Sequence, residues 1–306
     1  MNSFNSKILL FGEYTILNDS MALAIPFSEF SGHLVLPSDG DIPNPISIES
    51  NQSIKRWAKY LSEQKGFNCP PNEQKLLTDA LMGLYFDSNI PQGYGVGSSG
   101  ALTAAVYSRY FIDSTNYQRN STISLEELKA DLSLMETYFH GNSSGIDPLV
   151  SYLDEPILIK KGMVFKQPLA LPKDLKIFLI DTGSPASTGN LMEQFHIKRE
   201  TPTLKPEFTK MSSLTDSIIE AFCNNSISFA MIEELSTLQH TILNEMFVTN
   251  QTIENALHQF SGSLCVKLCG SGGGGFLLGF AKTRQFSTIT NYFSEHSIPL
   301  IDIHIK

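Results

Sequence analysis

Apolar residues recur along this chain with two periods that alternate from one end to the other. Lys7-Ile-Leu-Leu-Phe11, closed by the turn-forming Gly12-Glu13-Tyr14, and Met21-Ala-Leu-Ala-Ile25 are short apolar runs that predict strands. From Gln52 to Gly66 the apolar positions Ile54, Trp57, Ala58 and Leu61 fall at helical spacing, and Asn72 to Phe86 carries a less regular version. Ala101 to Phe111 is small or apolar almost throughout, which predicts a buried helix. Ser124-Leu-Glu-Glu127 is a capping-box pattern that opens a helix through about Phe139, with Gly141 as its C-terminal cap. Strands are expected at Ile157–Ile159 and Leu175–Ile180. Helices follow at about 191–198, 207–223, 226–246 and 252–260, and two strands, Leu264–Leu268 and Phe276–Phe280, flank a run of glycines. The pattern is α+β with strands in both halves, and Pro168 and Pro172 mark the boundary between domains at 1–169 and 170–306.

A chain of 306 residues with 42% hydrophobic composition buries a sizeable core, so disorder is excluded and two domains of ordinary size fit. The formal charge of −9, with no compensating basic patch, argues against nucleic acid and anionic membrane surfaces as partners. Cysteines at 69, 223, 265 and 269 are too scattered for a disulfide framework, and no neighbouring His pair or Cys-x-x-Cys offers zinc. The first residues lack a basic, then apolar, leader, and no apolar run approaches a membrane span, so a cytoplasmic chain is expected.

The candidate chemistry sits in three places. Pro91-Gln-Gly-Tyr-Gly-Val-Gly-Ser-Ser-Gly-Ala-Leu102 gathers glycines and hydroxyls before a helix, a backbone suited to cradling phosphate. It lacks the lysine of a Walker loop. Its Gly95-Val-Gly97-Ser-Ser-Gly100 spacing also lacks the preceding strand that a dinucleotide fold requires. The run Gly270-Ser-Gly-Gly-Gly-Gly275 is longer than a hairpin needs, and either a mobile loop or close approach to a ligand accounts for it. Between them, Glu136 and His140 share a helix face, and Asp147 follows a polar turn with two glycines. One carboxylate there suits proton acceptance and another Mg²⁺, while a solvated helix residue and an N-cap are the plainer readings.

Taken together, Lys7-Ile-Leu-Leu-Phe-Gly-Glu-Tyr-Thr-Ile-Leu17, Pro91 to Leu102 and Lys267-Leu-Cys-Gly-Ser-Gly-Gly-Gly-Gly275 resemble, in order, the three motifs of the GHMP kinase superfamily. Within it, His140-Gly-Asn-Ser-Ser-Gly-Ile-Asp147 looks most like the mevalonate kinase branch. The resemblance implies a two-domain fold: an N-terminal domain like the second domain of ribosomal protein S5, a C-terminal α/β sandwich of ferredoxin-like type, and an active site in the interdomain cleft. It implies phosphoryl transfer from ATP to the primary hydroxyl of mevalonate, with Asp147 as base and Lys7 steadying charge. Ser99 and Glu136 would hold Mg²⁺, and Gly93, Gly95, Val96, Gly97, Ser98, Ser99 and Gly100 would wrap the polyphosphate. Glu13, Tyr14, His140, Thr188, Gly272 and Gly273 would line the acceptor side, with Glu13 ordering Lys7 or the substrate and the 270–275 loop closing over the reacting groups. A homodimer is compatible with this reading.

Three departures from the family pattern stand out. Tyr14 occupies the place of a usual histidine, Ser143 that of a usual proline, and Gly189 that of a usual lysine, so that a phosphate-facing charge is either missing or supplied by another residue such as Lys198 or Arg199. Tyr14 and Ser98-Ser99-Gly100 are also reminiscent of phosphomevalonate kinases, whose extra phosphate would call for an added Lys/Arg cluster that the motifs do not show. A ligand sensor that kept the fold without the chemistry is the reading from another class, which the retained Lys7, Ser99, Glu136 and Asp147 oppose.

Overall fold

The computed structural model describes residues 2–38, 40, 42–111, 123–186 and 191–305, Met192 as backbone only. They form two compact units that interleave along the chain: the first takes residues 1–7, 26–91 and 97–155, the second 8–25, 92–96 and 156–306. Strand β1 (Phe4–Phe11) and the long strand β2 (Ala22–Val35) each contribute residues to both units.

In the first unit, α1 (Pro45–Glu63) starts with Asn44 and Ser47 in a reciprocal capping box and buries Ile54, Trp57, Ala58 and Leu61, the stripe expected from the sequence. The Trp57 indole donates to the Met135 carbonyl at 3.1 Å and packs on Phe139. Helix α2 (Glu73–Leu81) stops earlier than the apolar pattern suggested. Gly83 takes φ of +100°, and the chain becomes β3 (Tyr85–Ser88), paired antiparallel with Gly32–Val35 of β2. Three helices follow: α3 (Ser98–Tyr110), α4 (Leu125–His140) and α5 (Ile146–Leu153). Helix α4 has the predicted Ser124/Glu127 capping box and the predicted left-handed Gly141 end. It carries two buried polar anchors: Asp131 accepts from the backbone N–H groups of Asn68 and Cys69 at 2.7 and 2.9 Å, and Glu136 faces α3.

In the second unit, Ala22–Ala24 of β2 pairs with β4 (Ile157–Lys160), which turns into β5 (Met163–Lys166). A separate antiparallel sheet has the order β7-β8-β6-β9, built from β6 (Leu175–Asp181), β7 (Leu264–Leu268), β8 (Phe276–Lys282) and β9 (Leu300–Asp302). β7 and β8 are the two strands expected around the glycine run. Every residue of β7 is buried, as befits a strand covered on both faces. Helices α6 (Leu191–Glu200), α7 (Lys205–Cys223), α8 (Phe229–Ile242), α9 (Gln251–Gln259) and α10 (Thr283–Glu295) complete the unit. The last was not expected from the sequence, although Ile289 and Phe293 lie four apart and pack in a core with Phe178, Ile253 and Val266. Ser20 and the Met21 N–H both bond to Asp216 of α7, at 2.6 and 2.7 Å, tying the N-terminal segment into this unit. Among the described residues no helix is long and apolar enough to cross a membrane.

Candidate active site

The first unit brings Lys7, Ser99, Glu136, His140 and Asp147 together. Lys7 stands on β1 with its side chain almost wholly buried, and its ammonium meets Asp147 Oδ2 at 2.9 Å. Asp147 lies in the first turn of α5, where the positive end of the helix favours an anion. Gly100 is what lets α3 come so near: a Cβ there would stand 2.8 Å from the Asp147 carbonyl carbon and 2.9 Å from its Cβ. Gly100→Ala must therefore push the carboxylate-bearing turn aside. The expected result is a loss of about 1–3 kcal/mol in stability, read by denaturant titration.

Beside this pair Ser99 Oγ donates to Glu136 Oε1 at 3.0 Å, and Ser143 Oγ donates to Glu136 Oε2 at 2.5 Å. His140 Nε2 lies 2.9 Å from Ser99 Oγ; because that hydroxyl gives its proton to Glu136, the imidazole is the donor, in the Nε2–H tautomer. Burial pushes the Glu136 carboxyl up to about 7, the Asp147 charge adds to this, and the two hydroxyls and Lys7 oppose it. Partial burial moves His140 the other way, below its ordinary value, which favours the neutral ring.

A carboxylate that resists ionisation because it is buried, and further because a second one is near, is a place where a cation relieves the electrostatics. The Glu136 and Ser99 oxygens are the hard donors that Mg²⁺ accepts. No group of three or more His, Cys, Asp or Glu side chains able to hold a metal occurs among the described residues. Helix α3 starts at Ser98 with Gly97 in the left-handed region and no side-chain cap, so the amides of its first turn, including those of Ser99 and Gly100, point to where an anion would sit.

The second unit holds the other candidates. Gly93, Gly95 and Val96 run beside the glycine loop: a Cβ on Gly95 would fall 2.2 Å from the Cys269 carbonyl oxygen, so only glycine allows the crossing. Ala186 N–H donates to Gly93 O at 2.8 Å, and Phe276 N–H to Tyr94 O at 3.4 Å. The loop 270–275, which the sequence leaves open to mobility, is pinned along its length. Gly273 N–H donates to Met246 O at 2.7 Å and Gly275 N–H to Ser184 O at 2.6 Å, while Thr182 bonds Gly275 O through both its amide and its hydroxyl. Gly272 packs against Met246 and Leu268. Glu13 is paired with Lys267, both side chains 1% exposed, at 2.5 Å. Tyr14 donates from its hydroxyl to Ser271 O. Lys198 is committed to the end of α8, donating to Ile242 O at 2.8 Å and pairing with Glu245, and Arg199 pairs with Glu200. Thr188 and Gly189 lie outside the described residues.

Sequence reasoning gave no role to Ser143 or Lys267. Ser143 carries a visible signal: its hydroxyl accepts from the Gly145 N–H two residues on, a local turn bond of the kind Ser favours before glycine. Lys267 carries none, since a lysine in a strand ordinarily reads as an exposed position.

Comparison with known proteins gives these arrangements a family. Residues 52–155 match the model of the GHMP kinases N terminal domain, and full-length relatives extend the likeness over nearly the whole chain. The likeness along the chain is to the GHMP kinase superfamily. The chain is 29% identical to the mevalonate kinase of Pyrococcus horikoshii over 97% of its own length and 92% of the relative's. It is 26% identical to that of Pyrococcus abyssi over 97% and 92%. Its fold is that of the L. major mevalonate kinase crystallised with R-mevalonate (TM-score 0.64, 20% identity, 100% and 96% of the two chains covered). The same holds for the phosphomevalonate kinase of Streptococcus pneumoniae (TM-score 0.65, 14% identity, 99% of each chain). The α+β GHMP kinase fold read from the motifs is therefore the fold of this chain.

Proposed function

We propose that this protein transfers the γ-phosphoryl group of ATP to the primary hydroxyl of mevalonate. The observation that carries the reading is the Lys7–Asp147 ion pair held beside the Ser99–Glu136 hydrogen bond, a cation from β1 with a base and two hard oxygen donors from three neighbouring helices. Asp147 accepts the hydroxyl proton as the new O–P bond forms and the bond to the leaving ADP breaks. Lys7 orients that carboxylate and compensates charge growing on the equatorial phosphoryl oxygens. Glu136 and Ser99 would hold Mg²⁺, which when bound supplies charge neutralisation to the β- and γ-phosphates. The amides from Gly97 to Gly100 and the Ser98 hydroxyl take the polyphosphate, with Gly93, Gly95 and Val96 completing the nucleotide segment. His140 holds Ser99 in position, and Gly272 and Gly273 belong to the acceptor side.

Because alignment and neutralisation do most of the work in phosphoryl transfer, this set suffices without a covalent enzyme intermediate. Support for the unphosphorylated acceptor comes from the curated mevalonate kinases that align along nearly the whole chain, and from Lys198 and Arg199 being engaged in local ion pairs. The test is Mg²⁺-dependent ADP release with mevalonate, phosphomevalonate, galactose and homoserine offered separately. Turnover with mevalonate is expected. Turnover with phosphomevalonate alone moves the assignment to that acceptor, and silence with all four points to a ligand sensor or an acceptor outside this set.

A further inference from the structure

Tyr14 sits in a backbone conformation that only surrounding structure can maintain. Its φ and ψ are +63° and −37°, and the Thr15 N–H reaches back to Glu13 O at 2.7 Å, which makes it the centre of the rare, strained γ-turn of positive φ. For a bulky non-glycine residue such geometry costs on the order of 1–3 kcal/mol and persists where packing over-determines it. Here the packing is plain. The ring lies 4.6 Å from that of Phe195, itself fully buried, and the hydroxyl donates to the Ser271 carbonyl at 2.5 Å. The residue before it, Glu13, makes the buried pair with Lys267, whose ammonium also donates to Leu268 O at 2.9 Å and lies over the Phe11 ring.

A strained turn thus sends two consecutive side chains to two points, 267 and 271, on the same entering limb of the glycine loop. The exit limb is held separately by Met246 and Ser184. A fully buried ion pair is weak evidence for stability, since desolvation offsets most of its attraction, and fixing register is its best-attested use. Six residues dominated by glycine have a large conformational freedom to lose, so whatever presets them lowers the ordering cost of binding.

We propose that Tyr14 is a positioning residue: with the Glu13–Lys267 pair it clasps the entering limb of the 270–275 loop and presets that loop for the acceptor. The role rests on the phosphotransfer reading above, with the loop on the acceptor side. Burial, reinforced by the Glu13 charge, pushes the Tyr14 phenol above its ordinary value, so the hydroxyl remains a donor at every pH the enzyme meets.

The experiment uses the full chain and Tyr14→Phe, which removes the hydroxyl while keeping the ring on Phe195. Amide hydrogen exchange over 270–275 should quicken by about three- to tenfold, the range expected from loss of one buried hydrogen bond. The KM for mevalonate should rise by a similar factor with kcat changed by less than about twofold, because a looser loop taxes binding and leaves the bound geometry alone. A double variant, Glu13→Gln with Lys267→Met, leaves no unpaired buried charge and should move both readouts in the same direction. Unchanged exchange and unchanged KM in Tyr14→Phe overturn the clasp. A collapse of kcat with KM and exchange intact also overturns it, since Tyr14 would then act at the reacting atoms. If the wild-type chain is silent with every acceptor, the functional reading fails, and the exchange comparison still decides whether the hydroxyl holds the loop.

Discussion

Asp147→Asn lowers kcat by about 10³-fold, the range of a general base in a positioned site, while the ATP dissociation constant stays within about threefold. The substitution keeps the shape of the side chain and removes only its capacity to take a proton. On the proposed reading the nucleotide is held by the Gly97–Gly100 amides and the Ser99–Glu136 pair, and the Ser99–Glu136 bond does not use the Asp147 carboxylate. One complication has to be measured alongside. Lys7 is nearly buried and pairs with Asp147 at 2.9 Å, so the single variant removes a negative charge from beside a buried ammonium and lowers stability. The double variant Asp147→Asn with Lys7→Met removes that burden. It should unfold at a higher temperature than Asp147→Asn alone and remain as inactive. Nucleotide titration, thermal unfolding and turnover on the three proteins separate chemistry from folding, and wild-type turnover in Asp147→Asn would end the base assignment.

Glu136→Gln is expected to stabilise the metal-free protein at pH 8 while abolishing turnover. The Glu136 carboxyl is raised from 4.5 to about 7, so between those values the folded state binds more protons than the unfolded one. Stability from this group is therefore fully present below about pH 4.5 and is lost as pH rises through about 7, on the order of 3 kcal/mol in all. Gln is neutral at every pH and keeps both hydroxyl contacts in reach. Compared with wild type in EDTA, the variant should gain several degrees of Tm at pH 8 and show almost no gain at pH 4.5. A constant difference between the two proteins from pH 4.5 to 8 would refute the account. The same proton competes with the cation in the wild-type enzyme, so the Mg²⁺ concentration for half-maximal rate should rise as pH falls below about 7.

Much of this architecture is legible in the sequence where local physics decides it. The Ser124 capping box, the Gly141 stop and the Ile54–Leu61 stripe depend on residues within one helix, and each stands where the pattern places it. Asn72 to Phe86 reads as helix because its apolar spacing continues past Gly83, whereas the backbone turns there and Tyr85–Ser88 joins a strand far away in sequence. Helix α10 is hard to see because its stripe is short and its remaining positions are polar. The site divides in the same way. Glu136 and His140 share a helix face, so their meeting at Ser99 follows from spacing plus one tertiary contact. The pairing of Glu13 with Lys267 spans most of the chain, and no local rule points to it. Composition suggests a boundary at Pro168/Pro172, whereas the compact units divide at Glu155 and Pro156 and draw residues 8–25 and 92–96 in with the C-terminal segment.

That interleaving has a consequence for how the chain is made. Ile8–Ile25, an apolar stretch with Phe11, Leu23 and Ile25 buried in the finished protein, is synthesised well before residues 156–306, which make up most of the unit that covers it. At ordinary synthesis rates the stretch waits on the order of tens of seconds for its partners, exposed to every other unfolded chain in reach. Production should therefore depend on chaperones and on temperature more steeply than the stability of the finished enzyme suggests, and a fragment that ends at Glu155 should be insoluble.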